Sequence, residues 1–202
     1  GELGNISYLR PNYAKAVADV VKEFGGKPFL TDCNTMYPGS RKNALEHLEC
    51  AWENGFTPLT VGCPILIGDG LKGTDDVDVP VAGGEYVKEA KIGQAIMDAD
   101  VFISLTHFKG HTMGGFGGSN KNIGIGCADG RIGKGMIHTV EGSSNMWSIA
   151  EEELMERMLL TELDIWIWFL LLSSMERLRR KICRNYGVGS FLIWQCPIQM
   201  II

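Results

Sequence analysis

The stretch that decides the fold is VFISLTHFKGHTMGGFGGSNKNIGIGC, residues 101–127. It opens with a nearly continuous apolar run over residues 101–105, which is typical of a strand covered on both faces of a sheet. Two histidines and a glycine-rich turn follow directly. Because ligands in open α/β sheets bind beyond the carboxyl ends of the strands, this order predicts a functional site just after residue 105.

Helix and strand patterns alternate around this stretch. Residues 12–24 and 40–55 have the apolar spacing of amphipathic helices with glycine stops, and Ser40 is the expected N-cap of the second. Residues 27–32, 57–62 and 65–68 are predicted to be extended, residues 68–80 to be an acidic loop, and residues 84–97 to be a helix. The alternation predicts an α/β fold with a mostly parallel open sheet and helices on both faces, in a single domain over residues 1–158.

Composition narrows the class of protein. The chain has 202 residues, 45% hydrophobic and 21% charged, which is enough to bury a sizeable core. A net charge of -5 gives no basic surface for phosphates, so a nucleic-acid partner is not expected. The composition favours a cytoplasmic protein. Six dispersed cysteines without a C-x-x-C pair are expected to be thiols rather than disulfides: Cys33, Cys50, Cys63, Cys127, Cys183 and Cys196.

The two ends of the chain have unusual sequences. The first residues contain no methionine and no preceding strand, which indicates a fragment or a processed product, and no signal peptide is recognisable. Residues 159–202 are predicted to be an atypical tail, partly helical or poorly ordered, in which aromatic residues accompany a basic cluster. Three interpretations of the tail stay open: a packed helix, a membrane-surface anchor and a frameshift product. The apolar run over residues 165–172 is too short to span a bilayer, so membrane binding is not the favoured interpretation.

The histidine pair is the first candidate for chemistry. His107 and His111 have the i, i+4 spacing that aligns two rings on a helix, but Gly110 and the later glycines favour a loop. Since imidazole titrates near neutral pH, both histidines are candidate catalytic acid/base residues. The alternative is that they are ordinary polar loop residues.

The glycine-rich segment is the second candidate. Its backbone amides have little steric cover, as anion-binding loops require, although it matches neither G-x-x-x-x-G-K-[ST] nor G-x-G-x-x-G. Lys121 could fix a phosphate or carboxylate, or act as a nucleophile; the alternatives are a structural glycine turn and a solvated lysine. The candidate cofactor-binding residues are Lys121, Gly114, Gly115, Gly117, Gly118 and Asp32.

Further polar residues are expected near the same site. Asp32 ends a predicted strand, and Asn34 and Tyr37 follow it closely enough to reach the crevice. His138 and Cys127 are candidate metal ligands, although their spacing is not diagnostic of a metal. The three aspartates of the acidic loop, which lack a calcium-binding pattern, are expected to be solvated: Asp75, Asp76 and Asp78.

Several blocks carry a family resemblance. GELGNISYLRPNYAKAV, GGKPFLTDCNTMYPGSRKNALEHLE, GDGLKGTDD and ISLTHFKGHTMGGFGGSNKNIGIGCADGRIGKGMIH resemble the prokaryotic family of uncharacterised iron–sulfur centre proteins, domain of unknown function 362, over roughly residues 1–155. The resemblance implies a metal or iron–sulfur cofactor and a ferredoxin-like protein or domain as partner. This chain lacks the ferredoxin-like cysteine segment and the expected first strand.

A second resemblance is confined to one block. His111, GGFGG, Lys121 and His138 follow one another in the order found in the lactate racemase family, which uses a nickel-containing nucleotide cofactor. This similarity implies that His111 is an acid/base residue, Lys121 the cofactor anchor and His138 a metal ligand.

Three functional hypotheses follow. The first is a metal- or redox-centre protein whose His/Gly/Lys loop lines a cleft for a metal or an anionic small molecule. The second is a racemase-like enzyme that uses His107 and His111 as proton donor and acceptor. The third is a non-catalytic interaction protein that presents its aromatic, basic tail.

Overall fold

The structure is a computed structural model, and it describes residues 2, 4, 6, 8–85, 87–106, 109–111, 115–138 and 198–201. The helices are α1 (Pro11–Glu23), α2 (Ala44–Glu53), α3 (Pro58–Val61), α4 (Gln94–Met97), α5 (Ser119–Gly126) and α6 (Gly133–His138). The strands are β1 (Phe29–Asp32), β2 (Ile65–Ile67), β3 (Asp76–Pro80), β4 (Glu89–Gly93), β5 (Phe102–Leu105), β6 (Lys109–His111), β7 (Gly115–Gly117) and β8 (Ile198–Ile201).

The central sheet has four strands in the order β2-β1-β8-β5. β1 pairs in parallel with β2, whereas β8 pairs antiparallel with both β1 and β5. Since both neighbours oppose β8, strands β2, β1 and β5 all run in the same direction. The α/β class is therefore confirmed, but the sheet is mixed rather than mostly parallel.

Two apolar clusters cover the two faces of this sheet. On one face, α1 and α3 pack around Leu30 of β1, together with Phe56 and Cys63. On the other face, the β3–β4 hairpin and the segments around α4, α5 and α6 form a cluster centred on Ile92, which is fully buried. Neighbouring residues of β1 point to opposite clusters, as the two-residue repeat of a strand requires: Phe29 packs on the second cluster and Leu30 lies in the first.

Helix α1 confirms the first helix prediction. Pro11 occupies the first turn, where its missing N–H removes no helical hydrogen bond, and Gly25 follows the end with a φ of 83°. The inward face is formed by Ala14, Val17, Ala18 and Val21. The spacing of these residues buries one stripe of the helix against the sheet.

Helix α2 begins later than predicted. Its N-cap is Asn43, whose side chain accepts hydrogen bonds from the backbone N–H groups of Leu45 and Glu46. Ser40 instead contacts the carboxylate of Glu2 through its backbone N–H, at 3.0 Å, and through its hydroxyl. The serine signal was thus wrong because a long-range carboxylate engages this hydroxyl.

Three further segment predictions were wrong. Residues 57–62 form α3 rather than a strand, since Thr57 and Thr60 make a capping box and Gly62 ends the helix with a φ of 76°. The acidic loop contains β3, and residues predicted as one helix over 84–97 form β4 and the short α4. Ala90 and Ile92 are both buried, and their two-residue spacing is that of a strand with one buried face. Pairing with β3 therefore makes this segment a strand rather than a helix.

The two aspartates of β3 pair with a lysine; Asp78 is exposed, as expected, whereas the side chain of Asp76 is only 16% exposed. Lys91 of β4 contacts Asp78, directly opposite it in the register, and lies 3.4 Å from Asp76. Residues 139–197, which include most of the predicted tail, lie outside the described residues, whereas Ile198–Ile201 form β8 inside the central sheet.

Candidate functional site

The carboxyl ends of β1, β2 and β5 meet at one edge of the sheet, which we call the carboxyl edge. Asp32 ends β1, Asp69 lies two residues beyond β2, and Thr106 follows β5. One strand, β8, separates β1 from β5. The ends of those two strands are thus about 10 Å apart, close enough for one ligand to touch both.

A buried carboxylate holds the edge together. Asp69, fully buried, accepts hydrogen bonds from the backbone N–H of Asn34 at 2.9 Å and from that of Gly130 at 2.7 Å. It also accepts a bond from Nδ2 of Asn34 at 2.9 Å. Burial raises the pKa of Asp69, and these donors oppose the rise. A Cβ at position 130 would lie 2.6 Å from the carbonyl oxygen of Asn34, so only glycine allows this approach.

A second buried carboxylate organises the start of α6. Asp129, also fully buried, accepts hydrogen bonds from the backbone N–H groups of Arg131 and Ile132 at 2.9 and 2.8 Å. Lys134 is 4% exposed, and its Nζ donates to the carbonyl oxygen of Ala128 at 2.6 Å. Hydrogen bonds made by Asp129 and Lys134 therefore hold the segment around Gly130, whose backbone N–H donates to Asp69.

A buried imidazole lies beside the end of β1. His47 of α2 is 4% exposed, with Nδ1 3.4 Å from Oδ1 of Asn34 and Nε2 3.8 Å from Oδ2 of Asp32. Burial lowers the pKa of His47 to about 4 in spite of the nearby Asp32. The ring is therefore neutral at neutral pH.

The end of β5 carries a small hydroxyl and amide cluster. The hydroxyls of Ser104 and Thr106 lie 2.8 Å apart, and Nδ2 of Asn122 donates to Ser104 at 2.9 Å. Asn122 belongs to α5, which packs against both β5 and β7. This cluster fastens the helix that follows the glycine-rich segment to the carboxyl edge.

The structure places part of the predicted site on β6, β7 and α5. His111 ends β6, Gly115 and Gly117 form β7 with Phe116, Gly118 precedes α5, and Lys121 lies in the first turn of α5. β6 and β7 pair antiparallel, so the segment predicted as a loop is a hairpin. His107 and Gly114 lie outside the described residues.

The remaining predicted residues are spread over the domain. Asp32 lies at the carboxyl edge with Asn34, while Tyr37 is 47% exposed. His138 ends α6. Cys127, 1% exposed, belongs to the apolar cluster around Ile92, and its carbonyl oxygen accepts a bond from the thiol of Cys33 at 3.5 Å.

The described cysteines do not fit an iron–sulfur cluster, which requires about four converging thiolates. Cys33 and Cys127 lie in one apolar cluster, Cys63 in the other, and Cys50 on α2. Within the described residues, no three His, Cys, Asp or Glu side chains converge on one point where they could hold a metal ion together.

Sequence reasoning missed the buried polar residues that organise the edge: His47, Asp69, Asp129 and Lys134. His47 was read as part of an amphipathic helix and Asp69 as part of a solvated loop. The position of Asp69, two residues after a strand, is the signal that could have identified it.

The structure thus shows an α/β domain whose central sheet has a polar carboxyl edge. A family model described as a domain of unknown function (DUF362) matches residues 1–182, and the chain belongs to this family. The family match extends beyond residue 155, where the resemblance was expected to stop.

A curated relative gives a more distant comparison. The thylakoid-associated protein sll1697 of Synechocystis sp. is 31% identical over 135 residues, which cover 64% of this chain and 36% of the relative. The chain thus matches about a third of that relative's length. No solved structure matches the chain. In the part of the chain that the structure describes, no helix has the length and apolarity needed to cross a bilayer.

Proposed function

We propose that this chain is the cofactor-binding α/β part of a metal- or redox-centre protein. The cofactor is an anionic or metal-bearing small molecule held between the carboxyl edge and the segment over residues 106–121. One observation carries the proposal: three strands running in one direction end at one polar edge, and the glycine-rich hairpin leads into a helix fastened to that edge through Asn122.

The residues of this segment have distinct proposed roles. Lys121, in the first turn of α5, is the anchor for an anionic group, with the adjacent backbone amides as further donors. His107 and His111 are the proton donor and acceptor, and His138 is a metal ligand. The proposal gives no role to Cys127, because its side chain belongs to an apolar cluster.

The test is elemental analysis and an absorbance spectrum on protein purified without oxygen. We expect a stoichiometric metal or a chromophore in the wild type, and its loss in Lys121→Ala and in the double variant His107→Ala/His111→Ala. Lys27→Ala is the matched control, since this exposed lysine precedes β1 at the opposite edge of the sheet. Equal cofactor content in Lys121→Ala and Lys27→Ala would contradict the proposal.

The racemase-like hypothesis, with a nickel-containing nucleotide as cofactor, is tested by the same Lys121 variant. It requires cofactor retention and activity to be lost together.

A ferredoxin-like protein or domain is the proposed redox partner, because the described cysteines do not form a cluster by themselves. The expected cytoplasmic location is likewise a proposal. The relative from Synechocystis sp. is described as thylakoid-associated, so fractionation of cells that produce the full-length protein should include the membrane fraction.

A further inference from the structure

The hydrogen bonds of Asn34 assign one tautomer to the ring of His47. Nδ2 of Asn34 donates to Oδ1 of Asp69 and to the carbonyl oxygen of Gly70, both at 2.9 Å. A carbonyl oxygen only accepts, so this contact fixes the orientation of the Asn34 amide and turns its Oδ1 toward His47. At 3.4 Å from that oxygen, Nδ1 of His47 carries the proton. Nε2 then carries the lone pair.

This lone pair faces a carboxylate rather than a donor. Oδ1 of Asp32 accepts a hydrogen bond from the backbone N–H of Cys33 at 2.9 Å, while Oδ2 lies 3.8 Å from Nε2 of His47. Two acceptors therefore face each other across a distance too long for a hydrogen bond. A cation between them would satisfy both atoms.

We propose that Nε2 of His47 and Oδ2 of Asp32 bind a divalent transition-metal ion at the carboxyl end of β1. Metal bonds to imidazole nitrogen and carboxylate oxygen are about 2.1 Å long, so two atoms 3.8 Å apart can share one ion at a wide angle. An imidazole with a carboxylate suits zinc, cobalt, nickel and iron(II). This inference rests on the proposed function, to which it adds an ion site on residues outside the glycine-rich segment.

The surroundings of His47 match those of metal-binding histidines. Such histidines donate their second ring N–H to an oxygen acceptor, which fixes the ring and raises its basicity. Here Nδ1 donates to Asn34, which is itself held by the buried carboxylate of Asp69. His47 has a side chain only 6% exposed, whereas that of Asp32 is 33% exposed, so the ion would enter from the carboxylate side.

One positive charge opposes a cation at this position. Nη1 of Arg41 lies 4.0 Å from Oδ2 of Asp32, although Nε of Arg41 also contacts Glu2 at 2.9 Å. The other described cation near the ring, Lys134, donates to a backbone carbonyl oxygen. Removal of the Arg41 charge should therefore strengthen metal binding.

The experiment is a titration of metal-free protein with Co²⁺, followed by calorimetry and by the visible absorbance of the bound ion. We expect Asp32→Asn to weaken binding at least about tenfold, because it removes one of two protein ligands. Asp19→Asn is the matched control, since the Asp19 side chain is 32% exposed and lies on α1. Arg41→Gln should tighten binding by roughly threefold, the scale of a partly screened charge contact.

Two outcomes would overturn the site: no binding of Co²⁺ by the wild type, or equal affinities for Asp32→Asn and Asp19→Asn. His47→Gln is the second ligand variant, and circular dichroism of each variant shows that the fold is retained. Lys121→Ala should keep full Co²⁺ affinity. Cobalt binding that depends on Asp32, together with equal cofactor content in Lys121→Ala and Lys27→Ala, would support this site and contradict the role of Lys121 in the proposed function. Cofactor retention that depends on Lys121, together with equal Co²⁺ affinities for Asp32→Asn and the wild type, would support the proposed function and contradict this site.

Discussion

At the scale of single residues, the carboxyl edge depends on buried groups whose hydrogen bonds are made by distant parts of the chain. Asp69 brings the segment after β1 and the segment before α6 to the end of β2 through its bonds to Asn34 and Gly130. These N–H groups are buried, so water could not replace the carboxylate if it were removed, and each group would be left without a hydrogen-bond acceptor. Asp69 therefore positions the edge even though it is not itself a proposed ligand.

Substitution Asp69→Ala should lower the free energy of unfolding by about 3 kcal/mol or more, since it leaves several buried donors without an acceptor. Urea denaturation followed by circular dichroism measures this change. Asp100→Ala, at an exposed position before β5, should change stability by less than about 0.5 kcal/mol. A similar small change in both variants would show that the Asp69 network does not stabilise the fold.

At the scale of elements, the start of α2 determines where His47 lies. Asn43 caps the helix, and His47 follows one turn later, with its backbone N–H donating to the carbonyl oxygen of Asn43 at 2.9 Å. A well-defined first turn thus fixes the backbone of the proposed ligand. The Asn43 cap therefore helps to set the position of His47 beside Asp32.

Asn43→Ala should destabilise the protein by about 1 kcal/mol because two backbone N–H groups lose their side-chain acceptor. Asn43→Asp, which can still accept both bonds, should restore most of that loss. The midpoint of urea unfolding is the measurement, with exposed Lys42→Ala as the neutral control. A cost in Lys42→Ala as large as in Asn43→Ala would rule out the cap as its source.

The elements that sequence predicts well are those with local signals. Proline at the start and glycine after the end identify α1, and short apolar runs identify β1 and β5. β4 was predicted as helix because its apolar residues fit both a helical and a two-residue spacing, and only its pairing with β3 selects the strand. β8 lies between β1 and β5 in the sheet although it follows both of them by a long stretch of chain, and no local pattern indicates such an antiparallel insertion.

The candidate site shows the same limit. Asp32 was predicted because a strand end is recognisable from sequence. His47 was not, because its contacts with Asn34 and Asp32 form only when the fold brings α2 to the end of β1.

At the scale of the whole molecule, two apolar clusters enclose most of the described thiols. Cys33 and Cys127 are each 1% exposed, Cys50 is 2% exposed and Cys63 is 3% exposed. Burial also raises the pKa of the thiols of Cys33 and Cys63, so little reactive thiolate forms at neutral pH. Access to these sulfur atoms requires the domain to open.

Alkylation of these four cysteines should therefore follow global unfolding. We expect negligible labelling of native protein by iodoacetamide at neutral pH and complete labelling in denaturant, with mass mapping of peptides to identify each site. Rapid native labelling at Cys33 or Cys127 would show that the cluster around Ile92 opens independently of the rest.

The bond between Asp69 and Gly130 also sets an order of events during synthesis. Sixty-one residues separate the two partners, and ribosomes add about 5–20 residues per second, so the carboxylate waits roughly 3–12 s for its last donor. During this time Asn34 has already emerged, yet the edge cannot close. The carboxyl edge is therefore assembled late, and a nascent chain stalled before residue 130 would contain helix α1 and strand β1 without the bond that closes this edge.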